Sequence, residues 1–282
     1  MTELERCVDF VVRLADRAAK TKEPSPYGVA HLNTDLPRVW SRNYLFADGG
    51  LGGVTAIELA AETNRNLGAT GLTHRKVELV DEEAGERLEP QFRELGWEVE
   101  CDVIMIARRD PDREVDTSLV DEVSIDELVQ VWSLGWQNEP RIKDDDVVRQ
   151  LVENRRVMAG AVDTRFFAGR IDDKIGSYCE LYYEPDIGQI EDVLTLERFR
   201  NRGLARATVM RALAASREAG HDLTFLIADR DDWPKELYAK LGFDEIGRIW
   251  EFLLPRASPE SSGRRSGLAS TIGGPRKEGP WA

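Results

Sequence analysis

Cysteine and histidine are scarce in this chain: each occurs three times in 282 residues. Cys7, Cys101 and Cys179 are far apart, odd in number and without a C-x-x-C pair, which argues against a disulfide framework or a zinc site and fits a reducing cytoplasm. His31, His74 and His221 are scattered too, and metal ligands or a triad base need clustered partners. Long apolar runs are also missing. No stretch reaches the roughly 18 apolar residues that a membrane span requires, so no membrane partner is expected. Positive charge is in deficit, with 38 Lys and Arg against 52 Asp and Glu and a formal net charge of -14. Such a surface repels nucleic acid on average, so any anionic ligand must be captured by a local site.

What is present supports a globular protein: 41% of residues are hydrophobic and 32% charged, enough apolar material for one large domain or two modest ones. The opening "MTELERCVDFVVRLADRAAK" carries early acids and apolar residues at helical spacing, the pattern of an amphipathic helix rather than of a leader. Breaks in composition fall at "TKEPSPYG" (21–28), at "RRDPDREVD" (108–116) and after Pro255. The last segment is rich in Ser, Gly, Pro and Arg and almost without apolar residues, so burial cannot offset its ordering entropy and a disordered tail over 256–282 is expected.

From residue 119 the pattern is regular. "SIDELVQVWSLGW" and "KDDDVVRQLVENRR" read as two helices with acidic first turns. "TRFFAGRI", "KIGSYCELYY" and "QIEDVLTL" read as three antiparallel strands. A helix "ARATVMRALAASREAG", a strand "LTFLIAD", a short helix "WPKELYAKLG" and a final strand "IGRIWEFLL" follow, giving α-α-β-β-β-α-β-α-β. The N-terminal half carries a fainter β-α-β-α-β copy, in which "FRELGWEVE" (92–100) parallels "YAKLGFDEI" (238–246) and suggests an internal duplication.

Chemistry concentrates in "LERFRNRGLA", residues 196–205, between a strand and a helix. A glycine there lets backbone N–H groups converge on an anion, and the helix start adds about half a positive charge. Gly203 and Ala205 allow close approach, while Arg198, Arg200, Arg202 and Arg206 supply mobile positive charge suited to a pyrophosphate. Neither a Walker P-loop nor a G-x-G-x-x-G fingerprint is present.

The segment "DVLTLERFRNRGLARATVMRAL" resembles the acetyl-coenzyme A binding motif of the GNAT superfamily of N-acetyltransferases, [QR]-x-x-G-x-[GA] after the fourth strand, and "LYAKLGFDEIG" resembles its second motif. The resemblance implies an α/β (α+β) fold, the GNAT acyl-CoA N-acyltransferase fold, with a mixed central sheet flanked by helices, in two tandem units. It implies a degenerate unit at 1–110, a catalytic unit at 117–255 and the tail at 256–282. It implies that the backbone of Val193, Leu194 and Thr195 meets the pantetheine arm. Arg200, Asn201, Arg202, Gly203, Leu204 and Ala205 would wrap the pyrophosphate of acetyl-CoA, with no metal. Tyr238 falls where the family often places its general acid, and a phenol stays protonated at neutral pH. Asp231 stands where the family frequently has an Asn that touches the cofactor arm, and a carboxylate accepts a hydrogen bond there but cannot donate one. Glu191, taken to share strand parity with Val193 and Thr195, and Glu180 are the two candidates for the base.

In the N-terminal copy Phe92 takes the place of Tyr238, and no arginine accompanies "ADGGLGGVTA", so that half is read as a brace or a wall for the acceptor cleft. The implied reaction is direct attack of an unprotonated primary amine on the acetyl thioester. The acidic surface suits a cationic small-molecule amine or a protein amine as acceptor. A homodimer is the other partner that the reading allows. A non-catalytic acyl-CoA sensor and an acyltransferase using a longer acyl-CoA stand as alternatives.

Overall fold

A computed structural model of the chain describes residues 1–137, 142 and 144–255, so the predicted tail at 256–282 lies outside the described residues. Its compact units do not follow the linear order. Of the described residues, the first comprises Met1–Ile104, Trp132–Val162 and those from Ile246 to Pro255; the second comprises Met105–Val131 and Asp163–Glu245.

The first unit opens with helix α1 (Glu3–Ala18), held at its start by a capping box in which Thr2 and Glu5 exchange hydrogen bonds. Strands β1 (Thr21–Ser25), β2 (Gly28–Leu32) and β3 (Tyr44–Ala47) pair antiparallel in sequence. Helix α2 (Ala56–Ala69) then carries the chain to β4 (Arg75–Leu79), which lies parallel to β3. Helix α3 (Glu82–Glu94) leads into β5 (Glu98–Ala107).

The second unit begins its sheet with β6 (Val120–Val123), followed by helix α4 (Ile125–Gln137) and helix α5 (Asp145–Ala161). Residues 132–137 of α4 and all of α5 belong to the first unit, where α5 packs on α1. Strands β7 (Asp163–Ile171), β8 (Lys174–Glu184) and β9 (Ile187–Thr195) form an antiparallel run from β6. Helix α6 (Leu204–Glu218) crosses to β10 (Leu223–Asp229), which is parallel to β9. Helix α7 (Pro234–Lys240) and strand β11 (Phe243–Leu254) complete the described chain. Both units therefore carry mixed sheets flanked by helices, and in both an antiparallel run ends in a strand whose following helix leads to a strand parallel to it.

β11 pairs antiparallel with β4, so the last strand of the described chain lies in the first unit's sheet. Trp250 and Phe252 of β11 enter a core with Leu59, Val77, Leu79, Leu88 and Phe92, every one of them shielded from solvent. Gly85 in α3 makes room for this: a Cβ there would lie 2.2 Å from the Trp250 ring. Phe92 stacks on Phe252 with ring centroids 4.1 Å apart and tilts against Trp97 at 4.9 Å. Its ring is core packing. The three histidines are structural in the same sense: each is buried and bonded, His31 to Asp16, His74 to the Asn43 carbonyl and His221 to Ser216.

Candidate functional site

β9 and β10 run as a ladder only from Ile187 and Leu223 to Ile190 and Leu226; beyond Ile190, β9 continues beside β8 alone. Within that extension the register slips. Tyr178 faces Leu194 and Glu180 faces Glu191, so three steps along β9 answer two along β8. The extra residue is a β-bulge centred on Asp192, which sits in the left-handed region at φ 52°. Successive strand residues alternate faces, and directly paired residues share one. The inserted residue breaks that alternation. Glu191 shares its face with Glu180, Tyr178 and Leu194, whereas Thr195 shares the opposite face with Ser177 and points toward α6. The expectation that Glu191 has the parity of Thr195 is thereby corrected, because strict alternation does not survive a bulge.

The arginine loop follows directly. A short 3-10 turn, Glu197–Phe199, buries Phe199 and leaves Arg198 and Arg202 against its ring, with guanidinium carbons 4.9 and 5.9 Å from the centroid. The Nε of Arg200 donates to the Thr195 carbonyl at 3.3 Å, which ties the loop to the end of β9. Asn201 and Gly203 both take left-handed backbone, at φ 61° and 78°. Gly203 is the N-cap of α6, with no side chain bonding to the helix start. A Cβ built there would meet nothing within 4 Å. The first N–H groups of a helix have no partner within it, so the Leu204 and Ala205 end of α6 offers backbone donors and a positive dipole end to an exposed loop. Arg206 does not belong to this mobile set. Its guanidinium holds Asp112 with two hydrogen bonds of 2.7 and 3.0 Å, which corrects its reading as free charge.

The corresponding loop of the first unit, residues 48–55, is closed. Thr55 and Glu58 form a capping box, with the Thr55 N–H donating to Glu58 at 2.8 Å, and the Ala56 N–H donates to Gln91 Oε1 at 3.2 Å. Arg87 donates to the carbonyls of Leu51 and Val54. A carboxylate and an amide of the chain itself thus occupy the donor groups that an anion would need there.

Tyr238 sits in α7, only 7% exposed, with its ring edge-on to Phe243. Burial pushes the phenol well above its ordinary value, and the nearby Glu191 carboxylate raises it further, so it holds its proton throughout the neutral range. Trp233 and Pro234 set where this helix begins: Trp233 is the N-cap and Pro234 the first helical residue. Glu191 accepts from the Gln189 amide at 2.8 Å, and Glu180, buried, accepts from the Tyr182 hydroxyl. Asp231 is exposed, pairs with Arg230 and donates its N–H to Asp229.

Two features had no distinct sequence signal. Ser177, buried in β8, donates to the Leu194 carbonyl at 2.9 Å and accepts from the Thr195 hydroxyl at 3.0 Å. The bulge at Asp192 replaces a residue that reads as an ordinary strand position. A cavity of about 480 Å³ lies over α7 and the 109–112 segment, lined by Arg109, Asp110, Asp112, Glu236, Ala239 and Lys240, and contains none of the predicted site residues.

The family model described as FR47-like protein matches residues 168–251, the stretch holding β8, β9, the arginine loop, α6, β10 and α7. Among solved structures, a functionally unknown conserved protein from Staphylococcus epidermidis shares 16% identity at a TM-score of 0.63, over 84% of this chain and 94% of its own. A GCN5-related N-acetyltransferase from Kribbella flavida shares 18% identity at a TM-score of 0.60, over 89% and 95%. No curated protein matches the chain in sequence. The chain thus shares its fold with the Kribbella flavida N-acetyltransferase, and the family-model match falls on the segment that carries the arginine loop.

Proposed function

We propose that this protein is an N-acetyltransferase that moves the acetyl group of acetyl-CoA to a primary amine, with the chemistry in the second unit. The observation that carries the reading is the contrast between two helix starts. α6 is capped only by a left-handed glycine amid arginines, whereas α2 is filled by its own side chains. The open start suits the pyrophosphate, taken by the backbone from Asn201 to Ala205 with Arg200 and Arg202 beside it. The extension of β9 beyond Ile190 suits the pantetheine arm, through backbone groups of Val193, Leu194 and Thr195. Asp231 would accept a hydrogen bond from that arm.

In the proposed reaction the neutral amine attacks the thioester carbonyl carbon, and a strand-end N–H stabilises the oxyanion that forms. The C–S bond then breaks. The departing sulfur takes the phenolic proton of Tyr238, and the proton lost by the amine passes through water toward Glu191 or Glu180. The two carboxylates face each other across β8 and β9 on one side of the sheet, and both stand as candidates. The acceptor class is a cationic small-molecule amine or a protein amine. The three cysteines, all buried and none in a disulfide, suit a cytoplasmic setting.

The test is calorimetric titration of acetyl-CoA beside a thiol-release assay with a panel of amines. Binding with amine-dependent release of CoA supports the reading. Binding without release for any amine would favour an acyl-CoA-binding sensor, and absence of binding would remove the assignment of the loop.

A further inference from the structure

The buried hydroxyl of Ser177 joins the two parts of the proposed cofactor cradle. Ser177 has one proton, which it gives to the Leu194 carbonyl. Its oxygen accepts from the Thr195 hydroxyl at 3.0 Å and lies 3.2 Å from the Thr208 hydroxyl, which also bonds back to the Leu204 carbonyl at 2.8 Å. Ser177, Thr208 and Leu204 are buried, whereas Leu194 and Thr195 are half-buried. Leu194 and Thr195 end β9 just past the bulge, and Leu204 opens α6. One side chain thus bonds the end of the strand and, through Thr208, is linked to the first turn of the helix.

We propose that Ser177 is a positioning residue for acyl-CoA: it fixes the peptide planes that follow the Asp192 bulge relative to the N-terminus of α6, so that pantetheine and pyrophosphate are met together. The proposal rests on the acetyl-CoA reading above. Past the bulge β9 is again paired with β8, Leu194 opposite Tyr178 and Thr195 opposite Ser177, and the Ser177 hydroxyl adds a side-chain bond to the Leu194 carbonyl on top of that pairing. Without the serine hydroxyl, the side-chain link that runs from Leu194 and Thr195 to Thr208 of α6 is lost, and only the strand pairing sets the spacing of the cradle.

The experiment is titration of acetyl-CoA into wild type, Ser177→Ala, Thr195→Val, the double variant and Ser177→Thr, with thermal unfolding followed for each. Loss of one buried hydrogen-bonded partner predicts weakening of acetyl-CoA binding by about 3- to 10-fold in Ser177→Ala. The double variant is expected to be no weaker than the worse single one, because both remove the same bond. Ser177→Thr, which keeps the hydroxyl, is expected to recover binding relative to Ser177→Ala. Folded Ser177→Ala that binds as tightly as wild type overturns the proposal while leaving the acetyl-CoA reading intact. So does strictly additive weakening in the double variant, which would make the two residues independent. Failure of the wild type to bind acetyl-CoA overturns both.

Discussion

Glu191 and Thr195 lie four residues apart on one strand and face opposite sides of the sheet, because Asp192 between them occupies a left-handed bulge. The bulge sends the Glu191 side chain to the face that carries Glu180 and leaves Thr195 on the face of α6.

Asn tolerates left-handed backbone about as well as Asp, whereas a β-branched residue does not. Asp192→Val is therefore expected to destabilise the protein by about 1–2 kcal/mol and Asp192→Asn by less than about 0.5 kcal/mol. Urea unfolding of the two variants measures the difference.

Arg200 and Arg206 belong to the same loop and helix start but are engaged differently. Arg200 binds the strand end, while Arg206 is taken by Asp112. Arg200→Ala is expected to weaken acetyl-CoA binding about tenfold or more, as loss of a charge-assisted contact does. Arg206→Ala is expected to change it by less than about threefold, within the range of one ordinary hydrogen bond. Titration of both variants separates them.

Phe92 is packing, not chemistry. Removing its ring from between Phe252 and Trp97 in Phe92→Ala is expected to cost about 3–5 kcal/mol. Phe92→Tyr introduces a hydroxyl into this stack and is expected to cost about 1–3 kcal/mol without raising the rate of thiol release. Denaturant midpoints read the first two quantities and the release assay the third.

Burial lowers the His74 imidazole to about 4, with its Nε2 on the Asn43 carbonyl and its ring stacked on Trp40. The unfolded chain takes up the proton near pH 6.5 and the folded chain only near 4. Stability from this group is therefore complete above pH 6.5 and declines as pH falls through that window, by ~3 kcal/mol at most. In His74→Gln the fall between pH 6.5 and 4 is expected to be shallower than in wild type. Urea titrations at several pH values check the slope.

The periodic elements were legible in the sequence because each has a pattern that its burial explains. "LTFLIAD" coincides with β10, and "KIGSYCELYY" lies within β8 with one residue to spare. The strands without such a pattern were not legible. β1 contains Pro24 and is almost wholly exposed at the edge of its sheet, so "TKEPSPYG" reads as a break although it forms a hairpin with β2. β6 has only four residues, two of them acidic and exposed.

The arginine loop was legible for a different reason: glycine at a strand-to-helix turn and several like charges each have a local cost or constraint that anion binding explains. The orientation of the site was not. A bulge at an aspartate has no spacing signature, and the partner that removes Arg206 from the loop's free charge, Asp112, lies 94 positions away.

The most direct measurement is the affinity of acetyl-CoA for wild type and for Gly203→Glu. The variant puts a carboxylate at the start of α6, which no side chain caps; a Cβ there meets no neighbour, and the cost is the left-handed backbone at φ 78°, which thermal unfolding of the variant reads separately. Binding by the wild type and a loss of at least about tenfold in a variant that remains folded are expected. Equal affinity in both proteins, or no binding by the wild type, would contradict the acetyl-CoA reading.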